Sequence, residues 1–119
     1  MGERLQTTHE KNIAKCEFPS DSLLLIVRRF RQAADVAAVY VLGSYARGDY
    51  RKDSDLDLYV VVDGYKRDKL HTMIDLNRAV ADLNIDMDII VDTAGNFYDS
   101  ENLEDVKIPV RKEGLMIYG

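Results

Sequence analysis

Residues 53–63 read Asp-Ser-Asp-Leu-Asp-Leu-Tyr-Val-Val-Val-Asp. Here Asp55 and Asp57 lead straight into an apolar run, Leu58 to Val62, of the length and β-branched content of a buried strand. Residues two apart on a strand share a face, so this stretch sets two carboxylates side by side at the mouth of a core element. Unpaired charge in such a place is costly. Either the strand wets one face, as antiparallel sheets often do, or a cation compensates the acids. Asp86 and Asp88 repeat the spacing inside Ile85 to Val91. If that strand lies beside the first, a third carboxylate can join the pair.

The pattern along the chain predicts one small mixed sheet flanked by helices, an α/β (α+β) domain. Pro19-Ser20-Asp21 is a helix start, and Leu23, Leu24, Ile26, Val27 and Phe30 recur at helical spacing to about Ala34. Val36 to Leu42 reads as a buried strand, Gly43 to Asp53 as a polar connection with a short helix from Ser44, and Asp55 to Val62 as the second strand. Leu70, Met73, Ile74, Leu76, Asn77, Val80 and Leu83 describe an amphipathic helix, and Ile85 to Val91 the third strand. Thr93 to Leu103 reads as loop or brief helix, Pro109 to Gly114 as a short helix, and Leu115 to Tyr118 as a terminal strand. Only one strand pair is separated by a crossover helix, so a mixed sheet is expected over a doubly wound one. Residues 1–18 form a polar N-terminal arm, with or without a short helix, and residues 19–119 the domain.

A chain of 119 residues has room for one core. Its net charge of −5 disfavours general, direct nucleic-acid binding, yet leaves room for a nucleotide bridged by metal. Cys16 is the sole cysteine, which rules out an intrachain disulfide and suits a reducing, cytoplasmic setting. No apolar run reaches membrane-spanning length, and no signal peptide is expected at the N-terminus.

Two motif readings fail on the residues. Gly43-Ser-Tyr-Ala-Arg-Gly48 opens like a phosphate-binding P-loop, but Asp49 and Tyr50 stand where Lys and Ser/Thr are required. Asp53-Ser-Asp55-Leu-Asp57 opens like a calcium loop, but Leu58 and Gly64 replace its Gly and Glu. What remains is a buried strand, a Gly-Ser turn able to face an anion, and Asp-x-Asp ten residues on.

Gly43-Ser44, ten residues, then Asp55-Leu56-Asp57 resembles the GS-x10-DxD signature of the polymerase-β-like nucleotidyltransferase superfamily. The stretch GSYARGDYRKDSDLDLYVVV and the ending Arg111 to Tyr118 resemble its minimal nucleotidyltransferases in particular, over roughly residues 20 to 118. The resemblance implies the nucleotidyltransferase fold, and two Mg²⁺ ions held by Asp55, Asp57 and Asp88, with Asp86 as the alternative third acid. It implies terminal-phosphate contacts from Gly43 and Ser44, and a phosphate or structural role for Arg47. Tyr45, Tyr50, Tyr59 and His71 are expected to serve packing or solvent rather than the site.

By the same resemblance the reaction is transfer of AMP from ATP to a hydroxyl. The preferred acceptor is a tyrosine of a HEPN-type toxin, with this chain as the antitoxin of a heteromeric pair. Two alternatives stand beside it: an antitoxin that blocks its partner by contact alone, and a stand-alone transferase with a small-molecule acceptor, completing its site as a homo-oligomer.

Overall fold

A computed structural model describes residues 7–16, 18–98 and 114–119. In chain order the elements are α1 (Thr7–Lys15), α2 (Ser20–Ala33), β1 (Val36–Leu42), α3 (Gly43–Arg47), β2 (Leu56–Val62) and α4 (Lys69–Val80). A 3-10 turn (Ala81–Leu83), β3 (Met87–Thr93), α5 (Ala94–Tyr98) and β4 (Leu115–Tyr118) follow. The strands form one mixed sheet in the order β3-β2-β1-β4. β1 runs antiparallel to both β2 and β4, while β2 and β3, joined through α4, are parallel. The mixed sheet expected from the single crossover helix is the one found.

Alternation along the strands sorts the side chains onto two faces. Val39 and Val41 of β1, Leu56, Leu58, Val60 and Val62 of β2, and Ile89 and Val91 of β3 point into the main core. There they meet α2 through Leu23, Ile26, Val27 and Phe30, an i, i+3, i+4, i+7 stripe, and α4 through Leu76 and Val80. Leu70, Ile74 and Asn77, which the sequence pattern also assigns to the amphipathic stripe of α4, instead face outward, Leu70 and Ile74 at 63% and 37% exposure. On the opposite face Ala38, Tyr40, Tyr59 and Val61 pack with Phe97 of α5 in a second, smaller cluster.

Residues 7–15, expected as a loose arm or short helix, form α1. It docks by Ile13 and Cys16 into the core and by a 2.9 Å hydrogen bond from Asn12 Nδ2 to the Met116 carbonyl of β4. β2 begins at Leu56, one residue later than expected, and β3 at Met87, two later. The shift in β3 has a local cause: Asn84 ends the 3-10 turn in the left-handed region at φ 55°, and ladder pairing starts only where Met87 meets Leu56. The brief helix allowed after Thr93 is α5. The helix expected over residues 109–114 lies outside the described residues, except for Gly114. Among the described residues no helix is long and apolar enough to cross a membrane.

Candidate active site

The carboxylates gather at one end of the sheet, where β1 finishes and β2 and β3 begin. In register, Asp57 lies between Leu42 of β1 and Asp88 of β3. Two features fix that register at the entry to the strands. The Leu56 N–H donates to the Asp86 carbonyl at 2.9 Å. Just upstream, Ser54 closes a tight turn, its Oγ accepting the Arg51 N–H at 2.6 Å. Asp57 is half-buried, whereas Asp55 and Asp88 are exposed, as is Asp86.

Asp57 is therefore a carboxylate flanked by carboxylates. Partial burial, then the charge of Asp88, then that of Asp55 push its pKa above the ordinary value, against a smaller opposing pull from Arg47. Asp86, which precedes the start of β3, is not among the groups that push. Register and electrostatics thus bring Asp57, Asp88 and Asp55 together and leave Asp86 at the margin. Asp53 stays in the exposed loop.

Gly43 is what allows the end of β1 to press against this group. It sits at φ 67°, a conformation that L side chains rarely adopt, and a Cβ there would strike Oδ2 of Asp57. The Gly-Ser turn and the strand acid, separate parts of a motif in the sequence, are in direct contact. α3 follows at once and is closed by Gly48 at φ 85°, whose N–H bonds the Ser44 carbonyl at 2.8 Å. Arg47, in the last turn of α3, pairs through Nε with Asp49 at 3.3 Å while its charge still reaches Asp57.

The remaining candidates have structural partners. Tyr45 stacks on Tyr50, with ring centroids 4.7 Å apart, and meets Phe18 edge-on at 5.2 Å. His71 sits in the first turn of α4, where the N-cap Asp68 accepts its N–H at 2.8 Å and holds its ring Nδ1 at 2.8 Å. Tyr59 is 2% exposed and donates its hydroxyl to Oδ2 of Asp92 at 2.9 Å. Sequence reasoning misses Asp92, since one acid at the end of Ile-Ile-Val carries no spacing signal. Yet it is buried at 7% exposure, and its Oδ1 accepts the Thr93 N–H and the Asn96 Nδ2–H, each at 2.8 Å.

The donor set at Asp55, Asp57 and Asp88 is all oxygen, which suits a hard divalent cation such as Mg²⁺. Among the described residues no three acid, histidine or cysteine side chains already converge into a cage. Mg²⁺ does not require one, since it takes one or two carboxylates and fills its octahedron with phosphate oxygens and water. The excess negative charge around Asp57 is the kind of imbalance that such an ion relieves.

The family model "Polymerase beta, Nucleotidyltransferase" matches residues 25–97, which run from α2 through β3 into α5. Among solved structures, a candidate nucleotidyltransferase from Sulfolobus solfataricus is similar at 24% identity, TM-score 0.55, over 98% of this chain and 89% of that one. A toxin–antitoxin structure with AMP-PNP matches at 19% identity, TM-score 0.60, over 81% of this chain and 72% of the other. A mutant of the toxin–antitoxin pair MntA-HpeT matches at 18% identity, TM-score 0.57, over 79% and 70%. At these identities the likeness is one of fold. No curated protein matches the chain at a significant level.

Proposed function

The chain belongs to the polymerase β nucleotidyltransferase family, and from that premise we propose that it transfers AMP from ATP to a hydroxyl of a HEPN-type toxin, acting as that toxin's antitoxin in the cytoplasm. The observation that carries the reading is the in-register confrontation of Asp57 with Asp88 against the Gly43 turn. Two neighbouring strand acids that repel one another have an obvious use in holding a metal-bound triphosphate. The toxin–antitoxin neighbours, one of them with AMP-PNP, favour a protein acceptor over a small molecule.

In this reading Asp55, Asp57 and Asp88 would hold two Mg²⁺ ions, which when bound would supply the positive charge that polarises the α-phosphate and eases pyrophosphate departure. The turn at Gly43 offers its backbone, and Ser44 its hydroxyl, to the terminal phosphates. Arg47 adds a cation on the same side. Asp88, on the outermost strand beside Asp57, orients the acceptor hydroxyl and takes up its proton. The acceptor oxygen bonds to the α-phosphorus, the bond from that phosphorus to the pyrophosphate oxygen breaks, and pyrophosphate leaves.

The test is incubation with ATP labelled on the α-phosphate, Mg²⁺ and a purified HEPN-type toxin, followed by intact-mass measurement of the toxin. Transfer adds one adenylyl group at a tyrosine, and the Asp55→Ala, Asp57→Ala double variant adds none. A toxin that is bound and silenced with its mass unchanged would show an antitoxin that works by contact alone.

A further inference from the structure

The sheet order gives the site two sides. β2 lies between β1 and β3, so Gly43 and Ser44 leave on one side of Asp57 and Asp88 stands on the other. Displacement at phosphorus sets the attacking and leaving oxygens roughly in line. With the triphosphate tail toward Gly43 and Ser44, the acceptor arrives from the β3 side. There the face bearing Asp88 continues to Ile90, an apolar residue left 36% exposed, and then to the buried Asp92. α5 turns back over this same face, with Phe97 5.3 Å from the Tyr59 ring and 5.6 Å from that of Tyr40.

We propose that Asp92 is a positioning residue for the acceptor: by binding the Tyr59 hydroxyl and the Asn96 amide it fixes α5 as the wall against which the acceptor protein is aligned. The proposal rests on the transferase reading above.

A helix cap alone does not account for Asp92. Thr93 already caps α5, its Oγ1 accepting the Asn96 N–H at 3.3 Å. Burying a carboxylate costs more than burying a neutral acceptor, so its placement calls for more than one donor to be gathered. Asp92 gathers them from different elements. Tyr59 lies on β2, two residues beyond Asp57 on the same face and so roughly 7 Å along the strand. Asn96 lies in α5. A displaced α5 would shift the acceptor side while leaving Gly43, Ser44 and Arg47 untouched.

The experiment compares Asp92→Ala, Tyr59→Phe and Asp92→Asn in α-labelled ATP transfer to a purified HEPN-type toxin, with AMP-PNP affinity measured in parallel. Asparagine keeps an acceptor for Thr93 and Asn96 and can donate to the tyrosine oxygen. We expect Asp92→Ala and Tyr59→Phe to lower transfer by about 10- to 100-fold, on the scale of a misplacement near 1 Å. AMP-PNP affinity should stay unchanged and Asp92→Asn should restore most of the loss. Should Asp92→Ala fail to fold, Tyr59→Phe decides, because it leaves the carboxylate and the Thr93 cap in place. Wild-type transfer by folded Tyr59→Phe, or nucleotide affinity falling in step with transfer, overturns the proposal. A wild-type protein that modifies nothing overturns the transferase reading, and this inference with it.

Discussion

In the helical layer Asp82 lies between the guanidinium nitrogens of Arg29 at 2.8 and 3.2 Å, and Asp68 accepts the His71 N–H at 2.8 Å beside the His71 ring. Both carboxyls are held below the ordinary value, Asp82 chiefly by the Arg29 hydrogen bond and Asp68 chiefly by the backbone bond. At the end of the sheet Asp57 has Asp88 and Asp55 for neighbours, and its carboxyl is pushed the other way. Asp82 and Asp68 are satisfied within the chain. Asp57 is left with its like-charged neighbours, the electrostatic pattern that functional sites often share.

That contrast breaks if the two sets of residues respond alike to substitution. The largest effect belongs to the strand acids: Asp57→Ala or Asp88→Ala should cut transfer by roughly 10³-fold, the scale of losing a main electrostatic group, with circular dichroism unchanged. Phe30, fully buried beneath the sheet, should behave in the opposite manner. Phe30→Ala should cost about 3–5 kcal/mol of stability in denaturant titration, yet leave turnover per folded molecule near wild type.

Gly43→Ala crosses the two classes, since it strains a left-handed backbone and drives a methyl into Asp57. It should lose about 1–3 kcal/mol and most of the transfer activity together. Loss of stability alone would mean that the close approach of Gly43 to Asp57 has no functional part.

A subtler pair of variants separates Asp57 from Asp82 through pH. Asp57 has a folded-state pKa above its unfolded one. Its cost to folding is absent below the ordinary value of 3.8, grows as pH rises through the interval to the raised value, and is full at neutral pH. Asp57→Asn should therefore raise Tm at pH 7 and leave it unchanged at pH 3. Asp82 is shifted downward, so its contribution is present above the ordinary value and lost as pH falls through the lowered one. Asp82→Asn should lower Tm slightly at pH 7, with the difference fading in acid and transfer unaffected throughout. Its exposed position at 63% keeps the effect small.

Much of this arrangement is legible in the amino-acid sequence. β2 announces itself because alternation and β-branching agree from Leu56 to Val62, and Asp57 follows from its place at the head of that run. α2 is equally plain, its stripe of Leu23, Ile26, Val27 and Phe30 matching the helical period. Register is not legible. Opposing Asp57 to Asp88 rather than Asp86 depends on where Asn84 ends the turn, a local feature that spacing does not reveal, and on the Leu56–Asp86 backbone bond, which is tertiary in origin. The contact of Gly43 with Asp57 is hidden for the same reason, as motif spacing says nothing of how closely two strands approach. α1 offers few apolar positions, and its docking through Asn12 spans 104 residues of chain. Asp92 gives no spacing signal, because its Tyr59 partner lies 33 residues away on the paired strand and its Asn96 partner meets it only once α5 has formed.

In the proposed reaction Asp57 is held in want of a cation that the nucleotide brings. A carboxyl-detected NMR titration of Asp57, alone and then with saturating Mg²⁺ and AMP-PNP, tests it most directly. Asp57 should titrate above the ordinary carboxylate value in the free protein, and its midpoint should fall well below that value once the ion and nucleotide are bound. A midpoint that stays where it was would mean that no cation reaches Asp57.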